Sequence, residues 1–153
     1  MRARADRNAE FLGIDCSWLA SDQAGHLGAF FTAGIGPIPQ LALEGGPIPI
    51  EDMELRLCEL PRICSAKLLV TVPRPDSYTD FAERGLFVYD WTDIHATTRS
   101  ATNAYQAVAV PETLLHTNSL PANLAAAATR LRLPDLLFPT SRSIHTAQVL
   151  KTL

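Results

Sequence analysis

Two runs of alternating residues, separated by a turn sequence, constrain the fold of this chain most strongly. Cys16 and Trp18 alternate with smaller or polar neighbours, and a second alternating run reaches Thr32. The segment between them, residues 21–25, has Asp near the start of a turn and Gly three residues later, which suits a type I turn closed by a left-handed residue. The pattern predicts an antiparallel β-hairpin from about Ile14 to Thr32.

The composition indicates one globular domain. With 153 residues, 47% of them apolar, the chain has the length of a single domain and enough apolar side chains for a core. We expect residues 1–9 to be a flexible polar leader and residues 10–153 to fold together. Because basic residues do not outnumber acidic ones and no apolar run could span a bilayer, we predict a cytoplasmic protein that binds neither nucleic acid nor membrane.

Further periodic segments predict the remaining elements. Ser77 to Asp80 has the form of a capping box, and Gly85 stands where a helix end with left-handed backbone belongs. Since several strands follow one another with few crossover helices, we predict an α+β domain: a mixed, mostly antiparallel sheet with helices packed on it. The predicted helices are residues 51–60, the segment between Ser77 and Gly85, and one that begins at Asn118 or Ser119. The predicted strands are residues 66–72, 86–91, 105–110 and 136–138, followed by a helix or strand over 143–150.

The segment of residues 33–50 is rich in helix-breaking residues. It contains four of the eleven prolines and four of the eight glycines, so neither a helix nor a regular strand can run through it. We expect an extended segment packed against the domain, because its aliphatic residues are too numerous for a solvated linker. If these residues stay exposed, the segment is instead a candidate partner site. The aliphatic residues are Ile38, Leu41, Leu43, Ile48 and Ile50.

Candidate catalytic chemistry is concentrated at the end of one predicted strand. Asp90, Asp93 and His95 place two carboxylates and an imidazole within six residues. Such a set can bind a metal or act as acid and base. Asp90, however, shares a strand face with Val88, where a carboxylate more often accepts hydrogen bonds from the following loop or pairs with an Arg. We therefore expect a structural role for Asp90, and neither a metal nor a cofactor.

The aromatic residues cluster in two strands. Trp18 lies in the hairpin, and Tyr89 and Trp91 share one face of a second strand. Such clusters form either a core or, because Trp and Tyr are common interface anchors, a protein-binding face. The residues that we select as candidates for binding a partner are Trp18, Asp22, His26, Tyr89 and Trp91. Of these, His26 is expected to be exposed just after the hairpin turn.

Two blocks of the sequence resemble parts of small uncharacterised bacterial proteins. Residues 15–39 combine a Trp-containing strand, a D-x-x-G-H turn, an aromatic strand and a Gly-Pro tail. Residues 84–91 (RGLFVYDW), followed by Tyr105 and Pro111, resemble the second block of the same group. In size and style the group is similar to immunity proteins of bacterial toxin systems, which implies a binding role and supplies no catalytic residues.

Three functional hypotheses follow. The first is a non-enzymatic cytoplasmic domain that binds another protein, with a bacterial toxin as the specific partner. The second is a small metal-dependent hydrolase that uses Asp90, Asp93 and His95. The third is a structural subunit that forms a homodimer through a sheet edge. Convergence of the three polar residues in a pocket separates the second hypothesis from the first, and the oligomeric state separates the third.

Overall fold

The predicted hairpin is present. β1 (Ser17–Asp22) and β2 (Leu27–Phe31) pair antiparallel, and Gly25 closes their turn with a left-handed φ of 85°. The structure, a computed structural model, describes residues 13–43, 46–73, 75–91 and 104–145. The predicted leader and the loop of residues 92–103 lie outside these ranges.

The strands within the described ranges form one mixed sheet. Besides the hairpin, these are β3 (Ala66–Leu68), β4 (Phe87–Trp91), β5 (Ala104–Pro111), β6 (Arg132–Leu133) and β7 (Ser143–His145). Their order is β3-β5-β4-β2-β1-β6, and β7 pairs with β5 beside β3. The β2–β4 and β1–β6 pairs are parallel, and the other four pairs are antiparallel. This confirms the predicted mixed, mostly antiparallel sheet.

Helices cover one face of the sheet. The helices of the described ranges are α1 (Gln40–Leu43), α2 (Ile50–Cys58), α3 (Asp76–Ala82) and α4 (Ala122–Arg130), with 3-10 turns at Thr117–Ser119 and Phe138–Thr140. Met53, Phe81 and Leu124, one from each of the three longer helices, pack against the face that carries Leu19 and Val88. None of these helices has the length and apolarity needed to cross a membrane. The predicted α+β domain is confirmed.

The opposite face carries most of the aromatic residues of the sheet and is covered mainly by loops, together with the short helix α1. Two segments, residues 33–43 and 131–144, contribute side chains such as Ile38 and Phe138 to this second core. Ile38, Leu43, Ile48 and Ile50 are buried, and Leu41 is partly buried. The prediction that the 33–50 segment packs against the domain is therefore confirmed for its described residues, although α1 interrupts its extended course.

Both helix starts that were predicted from polar capping residues are wrong. α3 begins at Asp76 after Pro75 and has no side-chain cap, so Ser77 lies inside the helix. α4 begins after Pro121, and Asn118 and Ser119 belong to the preceding 3-10 turn. In both cases a proline, whose fixed φ suits the entry to a helix, precedes the first turn.

Two predicted strands also differ from the structure. The strand predicted over 66–72 and expected to be buried is the short edge strand β3, whose residues are partly or fully exposed. The strand predicted over 136–138 is absent, because Phe138 starts a 3-10 turn. Short apolar runs are compatible with several structures, so tertiary packing decides between them. The final predicted element is a strand over Ser143–His145, and residues beyond 145 lie outside the described ranges.

Candidate functional site

Asp90 lies on the helix-covered face, near the carboxyl end of β4, and is almost fully buried. The phenol of Tyr78, on α3, lies close to it. Burial raises the pKa of the Tyr78 phenol, and its proximity to the Asp90 carboxylate raises it further. Asp90 therefore lies where α3 meets the sheet, beside a residue that the sequence analysis did not consider.

The other two residues of the predicted catalytic set, Asp93 and His95, lie outside the described residues. Within the described ranges no group of three or more His, Cys, Asp or Glu side chains is arranged to hold a metal ion. Convergence of Asp90 with Asp93 and His95 therefore stays what the hydrolase hypothesis, and not the binding hypothesis, predicts.

The aromatic residues selected for partner binding are core residues. Trp18, Tyr89 and Trp91 are all buried. Trp18 stacks on Phe30 with a centroid distance of 4.0 Å, and its indole N–H donates to the Tyr105 hydroxyl at 3.2 Å. These three side chains are buried because the segments 33–43 and 131–144 cover the face that the three longer helices leave open.

Asp22 and His26 lie at the other end of the sheet, in the hairpin turn. The buried Asp22 carboxylate accepts hydrogen bonds from the backbone N–H groups of Ala24 (2.9 Å), His26 (2.9 Å) and Phe138 (2.8 Å). Nδ1 of His26 lies 3.1 Å from the same carboxylate. Asp22 therefore holds the hairpin turn in shape and attaches it to the 3-10 turn of Phe138–Thr140. The His26 side chain is 24% exposed, so it is half-buried rather than exposed as expected.

A second histidine completes this turn. His26 forms an isolated bridge with His116, whose ring lies against Gly25. Nδ1 of His116 accepts from the Asn118 N–H at 3.1 Å, which assigns the ring proton to Nε2, 2.9 Å from the Ala24 carbonyl. Both nitrogens of His116 are therefore hydrogen-bonded within the fold. Together with the bonds of Asp22, they stabilise the hairpin turn.

A third arrangement, which the sequence analysis missed, lies where the hairpin meets the flanking chain. The residues before β1 and after β2 lie side by side, and the Gly13 N–H donates to the Gly34 carbonyl at 2.6 Å. The Asp15 carboxylate accepts a hydrogen bond from the Ala33 N–H at 3.0 Å. We call this region, residues 13–16 and 32–36, the Thr32 corner.

Thr32 is the centre of this corner and is buried. Its hydroxyl oxygen accepts from the backbone N–H groups of Cys16 (3.0 Å) and Gly34 (3.2 Å), and the hydroxyl donates to the Ile14 carbonyl at 3.4 Å. Its own carbonyl accepts from the amides three and four residues later, at 3.1 and 2.7 Å. Thr32 therefore forms hydrogen bonds with both stretches of the corner.

The backbone of the corner contains left-handed residues. Gly13 and Gly34 each have a φ of 84°, and Ala33 has a φ of 53°. A left-handed conformation costs a residue with a Cβ atom about 1 kcal/mol, and it persists only where the surroundings enforce it. The hydrogen bonds of Thr32 and Asp15 supply that constraint, so the corner has a defined shape.

This defined backbone presents two isoleucines to solvent. Ile14, before β1, is 53% exposed, and Ile35, after β2, is 43% exposed. The other large apolar residues with comparable exposure in the described ranges are Leu55, Ile63 and Leu114. The sequence gives no local signal for the corner, since an isoleucine that faces solvent and one that faces the core look alike until the packing is known.

The environment of the corner is acidic. Burial raises the pKa of the Cys16 thiol, and the negative charges of Asp15, Glu51 and Glu54 raise it further, whereas the hydrogen bond with Thr32 lowers it. Asp15 belongs to the corner itself, and the two glutamates lie on α2, which packs against β1.

Comparisons of the chain with protein-family models, with curated proteins and with solved structures give no match. Function is therefore inferred from the three arrangements above. The Asp90–Tyr78 contact and the Asp22 turn join parts of the fold to one another. The exposed isoleucines of the Thr32 corner, in contrast, leave much of their surface in solvent, which makes the corner the candidate functional site.

Proposed function

We propose that this protein is a non-enzymatic domain that binds another protein through the Thr32 corner. The supporting observation is the exposure of Ile14 and Ile35 on a backbone that Thr32 holds in place. Burying apolar surface contributes about 25 cal/mol per Å² to association. A backbone that is already ordered loses little conformational entropy on binding, so more of this gain appears as affinity.

The contacts of Asp90 support the non-enzymatic part of the proposal. Its burial and its position beside Tyr78, between α3 and the sheet, favour a structural role. The alternative, a metal-dependent hydrolase that uses Asp90, Asp93 and His95, predicts instead that Asp90→Asn abolishes metal uptake and leaves stability nearly constant.

In its most specific form, the proposal places the protein in the bacterial cytoplasm as an immunity protein that neutralises a toxin. The resemblance of residues 15–39 and 84–91 to proteins of that style supports this form. Its test is co-expression with the product of the adjacent gene. Restored growth in the presence of this chain, lost with the Ile14→Ser/Ile35→Ser variant, is expected; a harmless neighbouring product, or one whose toxicity the chain does not relieve, would rule out the toxin.

Site-specific photo-crosslinking tests the general proposal. A photoreactive amino acid is placed at position 35 in one variant and at position 63 in a control variant, expressed in cells that natively contain the gene. Ile63 is a matched control because its exposure, 42%, is close to the 43% of Ile35. We expect a discrete adduct with one protein from position 35 and only background from position 63.

The captured protein must then bind the purified chain. Truncation of an interface anchor commonly costs more than 1 kcal/mol, so we expect Ile35→Ser to weaken binding about tenfold and Ile63→Ser to leave it unchanged. Adducts from position 63 alone, or equal background from both positions, would contradict the proposed site.

A further inference from the structure

Exposed carboxylates lie in the Thr32 corner and on α2, the helix that packs against β1. Asp15 directly follows Ile14, and Glu51 and Glu54 lie on the exposed side of α2. Ile50, directly before Glu51, belongs to the same buried cluster as Cys16, and the charges of all three carboxylates act on the Cys16 thiol. Two separate elements therefore place negative charge near the corner.

The exposed side of α2 also carries an apolar residue. Leu55 is 59% exposed, the largest value among the large apolar residues of the described ranges. It follows Glu54 and stands four residues after Glu51, and residues four apart lie on the same face of a helix. Helix α2 therefore presents the same combination as the corner, an aliphatic side chain beside carboxylates.

We infer that the partner of the Thr32 corner is a protein whose contact surface combines apolar side chains with Lys or Arg residues. The inference rests on the proposed function and adds the chemistry of the partner. Apolar contact with Ile14 and Ile35 would supply affinity, while basic residues would meet the carboxylates of Asp15, Glu51 and Glu54. Opposite charges at the rim of an interface accelerate association and select the partner.

The same charges disfavour a second copy of this chain at the corner. In a symmetric dimer each surface meets its own copy, so the carboxylates of the two corners would come together and repel. A basic partner gains attraction where a second copy meets repulsion. The carboxylates therefore favour a basic partner protein over a second copy of this chain, whereas an apolar surface alone would accept either.

Two synthetic amphipathic peptides provide a direct test on the isotope-labelled full chain. Both have the same leucine face, and their polar faces consist of lysine in one and glutamate in the other. The probe is the change in NMR amide signals during titration at low salt. We expect the lysine peptide to shift the signals of Ile14, Ile35 and Glu51, with binding that weakens as salt is added, and the glutamate peptide to leave them in place.

Matched variants assign the effect to the corner. Glu51→Gln/Glu54→Gln should weaken binding of the lysine peptide about two- to fivefold, the range expected for exposed charge pairs, without altering the fold. Glu112→Gln, at an exposed carboxylate beside the separate surface of Ile63 and Leu114, should leave binding unchanged. Equal loss in both variants would show a general charge effect and overturn the inference.

The remaining outcomes separate the two proposals. If both peptides shift the corner signals equally, the corner binds apolar groups and the proposed function stands, but the inference of a basic partner is wrong. If the lysine peptide binds elsewhere and neither peptide shifts Ile14 or Ile35, the corner itself is rejected as a binding site. Aggregation of the wild-type chain through the corner at low salt would favour a second copy and also overturn the inference.

Discussion

The hydroxyl of Thr32 connects three backbone positions that belong to two separate stretches of the chain. It accepts from the amides of Cys16 and Gly34 and donates to the carbonyl of Ile14. A buried N–H group without an acceptor costs the free energy of its lost hydration. Removing the acceptor therefore costs more than the net stabilisation that the hydrogen bond contributes. The shape of the Thr32 corner depends on this one side chain.

We expect Thr32→Val to destabilise the fold by about 1–3 kcal/mol, because valine fills the same volume and leaves two buried N–H groups unpaired. Urea unfolding followed by circular dichroism measures the change. Thr129→Val is the control, since Thr129 is exposed on α4, and its effect should stay within about 0.5 kcal/mol. Equal stability of the two variants would show that the Thr32 hydroxyl does not hold the corner.

Asp90→Asn tests the structural role of this carboxylate against the hydrolase alternative. We expect a loss of about 1–3 kcal/mol, since the buried position then offers its neighbours a neutral acceptor instead of a charged one. Tyr78→Phe should also destabilise the fold, and the double variant should lose less than the sum because the two residues share one interaction. The measurement is thermal unfolding with and without zinc, magnesium or manganese. A metal-dependent rise in wild-type melting temperature that disappears in Asp90→Asn would support the hydrolase instead.

Among the helices and strands, the sequence correctly predicted those in which buried residues recur with a regular period. The hairpin and the strands β4 and β5 match their alternating residues because side chains of period two face one core or the other. Helix starts were wrong where a polar residue imitated a cap, because Pro75 and Pro121 set the entry instead. The extent of β3 was also wrong, because its pairing with the end of β5 limits it, and a distant strand leaves no trace in the local sequence.

The segment that covers the aromatic face provides a matched pair of isoleucines. Ile38 is buried, whereas Ile35 is 43% exposed three residues earlier. We expect Ile38→Ala to lower the free energy of unfolding by about 2–4 kcal/mol through lost burial and the cavity that remains. Ile35→Ala should lower it by about 0.5 kcal/mol or less. Chemical unfolding of both variants checks this, and similar losses would mean that the segment is not packed as described.

On the scale of the whole molecule, burial of aromatic groups predicts the response to alkaline pH. Burial is the main cause that raises the pKa of each of the three tyrosines above the ordinary value of about 10. Above that pH the unfolded chain releases phenol protons that the folded chain retains. Stability is therefore fully present below about pH 10 and decreases as the pH rises further.

Absorbance of the phenolate at 295 nm, recorded together with circular dichroism, measures this response. We expect phenolate to appear in one cooperative step that coincides with unfolding. Titration of the tyrosines near pH 10 while the circular dichroism remains native would contradict the packing of Tyr78, Tyr89 and Tyr105.

The candidate site was less predictable than the fold. Local sequence drew attention to Trp18, Tyr89 and Trp91, yet aromatic residues are also what a core requires, and the structure buries all three. The Thr32 corner arises from the meeting of two stretches about twenty residues apart, and its isoleucines differ from core isoleucines only in exposure. Such a surface is specified by tertiary structure, so it appears only when both stretches are in place.

The central claim is that the Thr32 corner binds a protein, and calorimetric titration with the partner identified by crosslinking tests it most directly. Two double variants are compared with the wild type: Ile14→Ser/Ile35→Ser at the corner, and Ile63→Ser/Leu114→Ser at similarly exposed positions elsewhere. We predict that the first weakens binding about a hundredfold or more while unfolding like the wild type, and that the second binds normally. Unchanged affinity in the corner variant, or an equal loss in both, would contradict the account.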